Sequence, residues 1–166
     1  MNETLLYEAS IDDKPILKNL LELYVYDFSE FNQMDVNATG IFGYSSLDAY
    51  WIEEGYYPFL IKTSGHLSGF ALVKEVIDNG AKVFVMAEFF VMRKYRTMGI
   101  GQYVAHQLFD RFRGVWHVSV RNYNRPALSF WDKTIKSYTF DHYKILQKPL
   151  WEGPVYAFVT RSYSVE

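Results

Sequence analysis

Two hydrophobic periods divide the chain. Leu17, Leu20, Leu21, Tyr24, Val25 and Phe28 follow the i, i+3, i+4, i+7 spacing of an amphipathic helix. Ser10 stands ahead of them as an N-cap, with Asp13 in the capping-box position and Pro15 in the first turn. The mixed run at residues 4–9 predicts a first strand. Residues 30–44 hold Asn37, Gly40 and Gly43 without a clear period and read as a loop, after which Ser45 or Ser46 caps a short helix to about Glu54. Residues 57–62 and 66–76 read as strands joined at Ser64-Gly65. A second turn signal, Asp78-Asn79-Gly80, precedes a long strand at residues 82–92, whose nearly continuous apolar character predicts burial on both faces. Helical spacing returns at Ile100, Val104, Leu108 and Phe112, and Gly114 ends it. A short strand at residues 115–120 follows, then a helix from Asn124 to about Tyr138 with Pro126 in its first turn. Strands at residues 140–146 and 155–163 close the chain, separated by Pro149, Gly153 and Pro154. The order β-α-α-β-β-β-α-β-α-β-β predicts an α/β (α+β) fold with a mixed sheet. Neither a repeat nor a Pro/Gly-rich linker interrupts it, so residues 1–166 read as a single domain.

Composition trims the functions open to such a fold. Hydrophobic residues make up 49% and charged ones 22%, which excludes disorder as the overall state. No cysteine is present, so disulfides, thiolate metal sites and a cysteine nucleophile are excluded. His66, His106 and His142 lack metal-ligand spacing, so no metal is expected. Met1-Asn2-Glu3-Thr4 lacks the basic start and apolar core of a signal peptide, and Glu88 interrupts the longest apolar run. A cytoplasmic protein without a membrane segment is the expectation. A net charge of −2 argues against a dedicated nucleic-acid binder. That near-neutrality is a cancellation. Residues 1–60 hold 2 basic and 11 acidic side chains, a net of −9, and residues 93–136 hold 9 basic and 2 acidic, a net of +7. Glu22, Asp27, Glu30, Asp35, Asp48, Glu53 and Glu54 belong to the acidic half, and together they would favour a cationic partner. Tyr24, Tyr26, Phe28, Phe31 and Phe42 in the same half either line a pocket or fill the core.

One stretch carries chemistry. The strand containing Glu88 leads into a basic loop with Arg93, Lys94 and Arg96, which ends in Gly99-x-Gly101 at a helix start. The first turn of a helix leaves backbone N–H groups without internal partners. Glycines let those amides approach a ligand closely, and the helix dipole favours negative charge there. Such an arrangement suits a pyrophosphate, and equally an ordinary tight turn. The chain lacks the phosphate loop of the nucleoside triphosphatases and the glycine fingerprint of dinucleotide-binding folds.

These residues resemble a known family. Arg96-Thr97-Met98-Gly99-Ile100-Gly101 matches the [QR]-x-x-G-x-[GA] motif of the GNAT N-acetyltransferases. Phe89-Phe90-Val91 matches that family's apolar fourth strand. Val118 to Val120, then Asn124, Ala127, Phe130 and Trp131, match its later strand-plus-helix signature. The resemblance implies a mixed, mostly antiparallel sheet with splayed fourth and fifth strands, flanked by about four helices. It also implies acetyl-CoA as acyl donor and direct transfer to a primary amine. The backbone of Phe90, Val91 and Met92 would hold the pantetheine arm. The amides of Thr97, Met98, Gly99, Ile100, Gly101 and Gln102, with the charge of Arg96, would hold the pyrophosphate. Asn124 would contact pantetheine, and Lys133 the adenosine phosphate. A small-molecule or peptide amine would be the acceptor, and a homodimer the family-level assembly.

The catalytic roles are less defined. Glu88 is the candidate general base, against a solvated or ion-paired strand residue. The family's usual Tyr, which protonates the leaving thiolate, is here Trp131. An indole N–H donates a hydrogen bond but does not usefully release a proton. Tyr123 is the candidate substitute, and His117 on the fifth strand is a further candidate for proton transfer. The departure at Trp131 keeps a second class open, a non-catalytic acyl-CoA-binding sensor or interaction module on the same fold.

Overall fold

The computed structural model describes residues 3–161. Its elements are β1 (Thr4–Glu8), α1 (Lys14–Asn32), α2 (Ala49–Ile52), β2 (Tyr56–Thr63), β3 (His66–Asp78), β4 (Ala81–Val91), α3 (Ile100–Arg111), β5 (Val115–Ser119), α4 (Arg125–Thr139), β6 (Lys144–Leu146) and β7 (Val155–Val159). The element order is the one the hydrophobic pattern predicts. The strands form a seven-stranded mixed sheet in the order β1-β2-β3-β4-β5-β7-β6. Only two-residue loops separate β2 from β3 and β3 from β4. Ser64-Gly65 and Asn79-Gly80 both take positive φ, the backbone that matches a hairpin to strand twist. β4 and β5 run parallel, with Val83, Phe84 and Val85 facing Val115, Trp116 and His117. That ladder has three pairs, whereas β5 pairs with β7 over its whole length from Val115↔Val159 to Ser119↔Val155.

Two compact units divide the chain, one holding residues up to Leu72 together with Glu88–Tyr95, the other Val73–Ala87 together with residues from Arg96 on. In the first, the Ser10 N–H donates to the Asp13 carboxylate at 2.9 Å, half of the predicted capping box. α1 then buries Leu17, Leu20 and Leu21. Its next apolar position, Tyr24, meets the rings of Phe70 and Phe90 at centroid distances of 5.6 and 5.7 Å. α2 is a single turn, and the Trp51 indole ties it to the Ala9 carbonyl at 3.0 Å. Backbones approach very closely at Gly69, where an added Cβ would run into the carbonyl oxygen of Phe90.

The second unit is built around an aromatic core. Phe109 of α3 meets Trp116 of β5, Tyr138 of α4 and Phe158 of β7 with ring centroids 4.9–5.0 Å apart. Edge-to-face contacts of this kind add to the burial that packs α3 and α4 on the strands. The His106 ring meets the Thr134 carbonyl at 3.0 Å, and the Gln102 amide donates to the Ser137 hydroxyl at 3.0 Å.

Three sequence expectations change. The strand expected from residue 140 begins only at Lys144, because Phe140 and Asp141 both take positive φ to end α4. β7 ends at Val159, and Ser162 and Tyr163 of the expected strand lie outside the described residues, as do Met1 and Asn2. Burial of β4 on both faces holds at Val83 and Phe84, but from Val85 to Val91 only Met86 and Phe90 are buried.

The contact at Gly69 predicts the cost of an added methyl group. Gly69→Ala forces backbone apart and should cost the upper end of the roughly 1–3 kcal/mol typical of overpacking. Gly40→Ala has positive φ but meets no atom, and should cost about 1 kcal/mol. Urea unfolding of both variants checks this; equal losses would contradict it.

Candidate active site

In the first unit Glu88 stands half-buried on β4. The Tyr44 hydroxyl donates to Glu88 Oε1 at 3.2 Å, and the charge of the same carboxylate acts on the Tyr24 phenol of α1. Burial first, and then the charge of Glu88, holds the Tyr24 and Tyr44 phenols well above their ordinary pKa. Tyr50 on α2 is pushed the same way by burial, Tyr44 and Glu88. All three therefore stay protonated near neutral pH. Tyr44 acts as a donor, and donation to a carboxylate favours its charged form. Sequence reading left Tyr24 between pocket and core and gave Tyr44 no role. Tyr44 lies 44 positions from Glu88, and no short motif joins them.

Several acids of this half have internal partners. Glu22 accepts from the Phe42 and Gly43 amides at 2.9 and 2.7 Å. Asp27 receives the Arg93 guanidinium through Nε at 2.9 Å and Nη2 at 2.6 Å, and Asp48 pairs with Lys14. Arg93, expected beside a pyrophosphate, is thus committed to α1. Met92 has internal partners too: its N–H donates to the Ser68 carbonyl and its own carbonyl accepts from Tyr95, both at 2.8 Å.

In the second unit Arg96, Thr97, Met98 and Gly99 are exposed, Ile100 is buried, and Gly101 and Gln102 are half-buried. Gly99 caps α3 with φ +79°, and a Cβ there would stand in open space. The first intrahelical bond runs from the Tyr103 N–H to the Gly99 carbonyl at 3.1 Å. The amides of Ile100, Gly101 and Gln102 precede it and have no partner within the helix. These amides, beside the bare backbone and open space at Gly99, fit a phosphate ligand.

Asn124 caps α4 by accepting from the Ala127 amide at 3.1 Å. Trp131 is buried against Phe130, at 4.8 Å between ring centroids, whereas Lys133 is exposed on α4. Two residues apart, they lie about 200° apart around the helix axis. Tyr123 is 39% exposed on the turn before α4. His117 lies near Asp78, with Nδ1 3.7 Å from Oδ2, too long for a hydrogen bond. Lys148 donates to that same Asp78 oxygen at 2.6 Å. His117 therefore stands in a charged group with Asp78 and Lys148, an environment that spacing does not reveal.

Comparison with known proteins decides the family. The model of the acetyltransferase (GNAT) family matches residues 18–135. The chain belongs to the GNAT acetyltransferase family. No curated protein matches its sequence. Solved structures share the fold at low identity. An acetyltransferase from Thermus thermophilus matches with a TM-score of 0.71 at 13% identity, over 96% of this chain and 99% of that one. The ribosomal-protein-S18-alanine N-acetyltransferase of Escherichia coli matches with 0.64 at 13%, over 99% of both chains. An aminoglycoside acetyltransferase from an uncultured soil metagenomic sample, in complex with sisomicin, matches with 0.60 at 14%, over 98% and 97%. The family match makes this GNAT chain an acyltransferase. Among its described residues no group of three or more His, Asp or Glu is placed to hold a metal ion, and no helix is long and apolar enough to cross a membrane.

The surroundings of His117 predict a pH dependence of stability. Burial, then the charge of Lys148, lowers its pKa, with Asp78 opposing. The folded state therefore prefers neutral His117, and the unfolded state binds more protons at mildly acidic pH. Stability from this group is present above about pH 6.5, the ordinary histidine value, and is lost as pH falls below it. His117→Gln should lose less stability than wild type between pH 7.5 and 5.5 in urea unfolding. An equal loss in both would contradict this.

Proposed function

We propose that residues 1–166 act as one acyl-CoA N-acyltransferase domain that transfers acetyl from acetyl-CoA to a primary amine of a cationic acceptor. The observation that carries the donor half is the exposed segment from Arg96 into α3, with its three partnerless helix amides and open space at Gly99. Ile100, Gly101 and Gln102 donate these amides to the pyrophosphate, and Arg96 adds charge. Thr97 and Met98 complete that loop. The amide nitrogen of Asn124, whose oxygen is the helix cap, donates to pantetheine, which also lies along the backbone of Phe90 and Val91. Lys133 reaches the adenosine phosphate. Bound acetyl-CoA supplies an acetyl group activated as a thioester.

Glu88 takes the proton of the attacking amine, directly or through water, as the new C–N bond forms and the C–S bond breaks. Its charge, met by the Tyr44 hydroxyl, also attracts a cationic acceptor. Glu22, Asp27 and Asp48 are partnered internally and contribute less to that attraction. Tyr123 gives its proton to the leaving sulfur and recovers one from solvent. With no cysteine in the chain, the acetyl group has no thiol to pause on.

Trp131, buried where the resemblance puts a tyrosine, favours one rival: an acyl-CoA-binding sensor or interaction module without turnover. Acetyl-CoA consumption with a panel of polyamines, aminoglycosides and peptide N-termini separates the two. Turnover with at least one cation is expected, and CoA binding without turnover across the panel would support the module. Glu88→Gln should lower kcat about 100-fold without changing the KM for acetyl-CoA. Arg96→Ala should weaken CoA binding about tenfold by calorimetry. Wild-type kcat in Glu88→Gln, or unchanged affinity in Arg96→Ala, would contradict the assigned roles.

A further inference from the structure

The segment between α1 and α2 covers residues 33–48 and carries no helix or strand. Loops of this length in compact proteins usually serve function. This one is ordered by a chain of polar contacts. At its tip the Asn37 side-chain oxygen accepts from the Thr39 amide at 2.9 Å, the Thr39 hydroxyl at 2.7 Å and the Ile41 amide at 3.1 Å. The Asn37 N–H closes the turn on the Ile41 carbonyl at 2.9 Å. The next two amides, Phe42 and Gly43, both point at one carboxylate, with 2.9 Å to Glu22 Oε2 and 2.7 Å to Oε1. The following residue, Tyr44, donates its hydroxyl to Glu88.

Three consecutive loop residues are thus divided between two carboxylates. Glu22 holds the backbone, and Glu88 receives the side chain. Each of the two carboxylate oxygens takes one of the two neighbouring N–H groups. A glutamine in the same place offers one acceptor and turns an NH2 group toward the other amide. Glu22 is also two residues from Tyr24, whose phenol is raised in pKa by burial and then by the charge of Glu88.

We propose that Glu22 is a positioning residue: by holding the Phe42 and Gly43 amides it sets the reach of Tyr44 to Glu88, and so controls the base. This rests on the reading of Glu88 as general base. Titratable groups that Glu88 acts on within this unit include Tyr24 from α1, Tyr44 from the loop and Tyr50 from α2. Only Tyr44 depends on the Glu22 contact.

The test is carbon NMR of the full chain labelled at glutamate carboxyls, with the Glu88 signal assigned by its loss in Glu88→Gln. Tyr44→Phe removes a donor to the charged form, so the Glu88 titration midpoint should rise by about 0.5–1 in pH. Glu22→Gln, which keeps size and shape, should raise it in the same direction. The double variant should go no further than Tyr44→Phe alone, since both changes break one contact. Unperturbed signals from Leu17 and Phe59, buried in the same unit, would show that each variant is folded. A Glu88 midpoint unmoved by Glu22→Gln, with the Phe42 and Gly43 amides shifted, would leave Glu22 a loop tether only and overturn the proposal. A midpoint unmoved by Tyr44→Phe would overturn it as well. Wild-type turnover by Glu88→Gln is a different failure, which removes the base reading and leaves the titration result to decide the contact.

Discussion

A carboxylate set among aromatic rings must be met by donors, because leaving a charge there without them costs several kcal/mol. Much of the first unit is arranged around that requirement at Glu88. Tyr24 packs its ring on Phe70 and Phe90, and the charge of Glu88 acts on its phenol. The donor, Tyr44, comes from a loop, and loops do not hold side chains in place unaided. Here the Asn37 turn and the two amides on Glu22 fix the backbone next to it. The close approach of β3 to the Phe90 carbonyl at Gly69 fixes the strand on which Glu88 stands. Helix, loop and strand thus meet their geometric conditions at one charged group.

The second unit meets a different requirement. Amides at the start of α3 can serve an anion only if the helix is held still and its first turn is left open. The aromatic group of Phe109, Trp116, Tyr138 and Phe158 fixes α3 against α4 and the strands. The contacts from Gln102 to Ser137 and from His106 to Thr134 fix its rotation. Arg93, counted with the basic stretch in sequence, pairs with Asp27 of the acidic stretch. The balance of net charge along the sequence therefore overstates both halves. Part of the basic excess and part of the acidic excess neutralise each other within a single ion pair.

Sequence reading was strongest where the controlling contacts are local. The Ser10–Asp13 cap, the Ser64-Gly65 and Asn79-Gly80 hairpins and the helical stripe of α1 each depend on residues within a few positions of one another. The glycine motif ahead of α3 is legible for the same reason, since the chemistry it serves is made of consecutive backbone amides. The breaks at Phe140 and Asp141 were missed because ordinary residues, not glycines, take the left-handed conformation there. The Glu22 and Tyr44 contacts were missed because they join residues 20 to 44 positions apart. Counting acids along the chain suggested an open acidic surface, but counting does not show that Glu22, Asp27 and Asp48 already have partners.

The central proposal is that the backbone amides that open α3 hold CoA. Amide chemical-shift mapping of the labelled chain, titrated with CoA, tests it most directly. The account predicts the largest shifts at Thr97, Gly99, Ile100, Gly101, Gln102 and Asn124, together with Phe90 and Val91. Saturable binding that leaves these amides in place, or no binding at millimolar CoA, would contradict it.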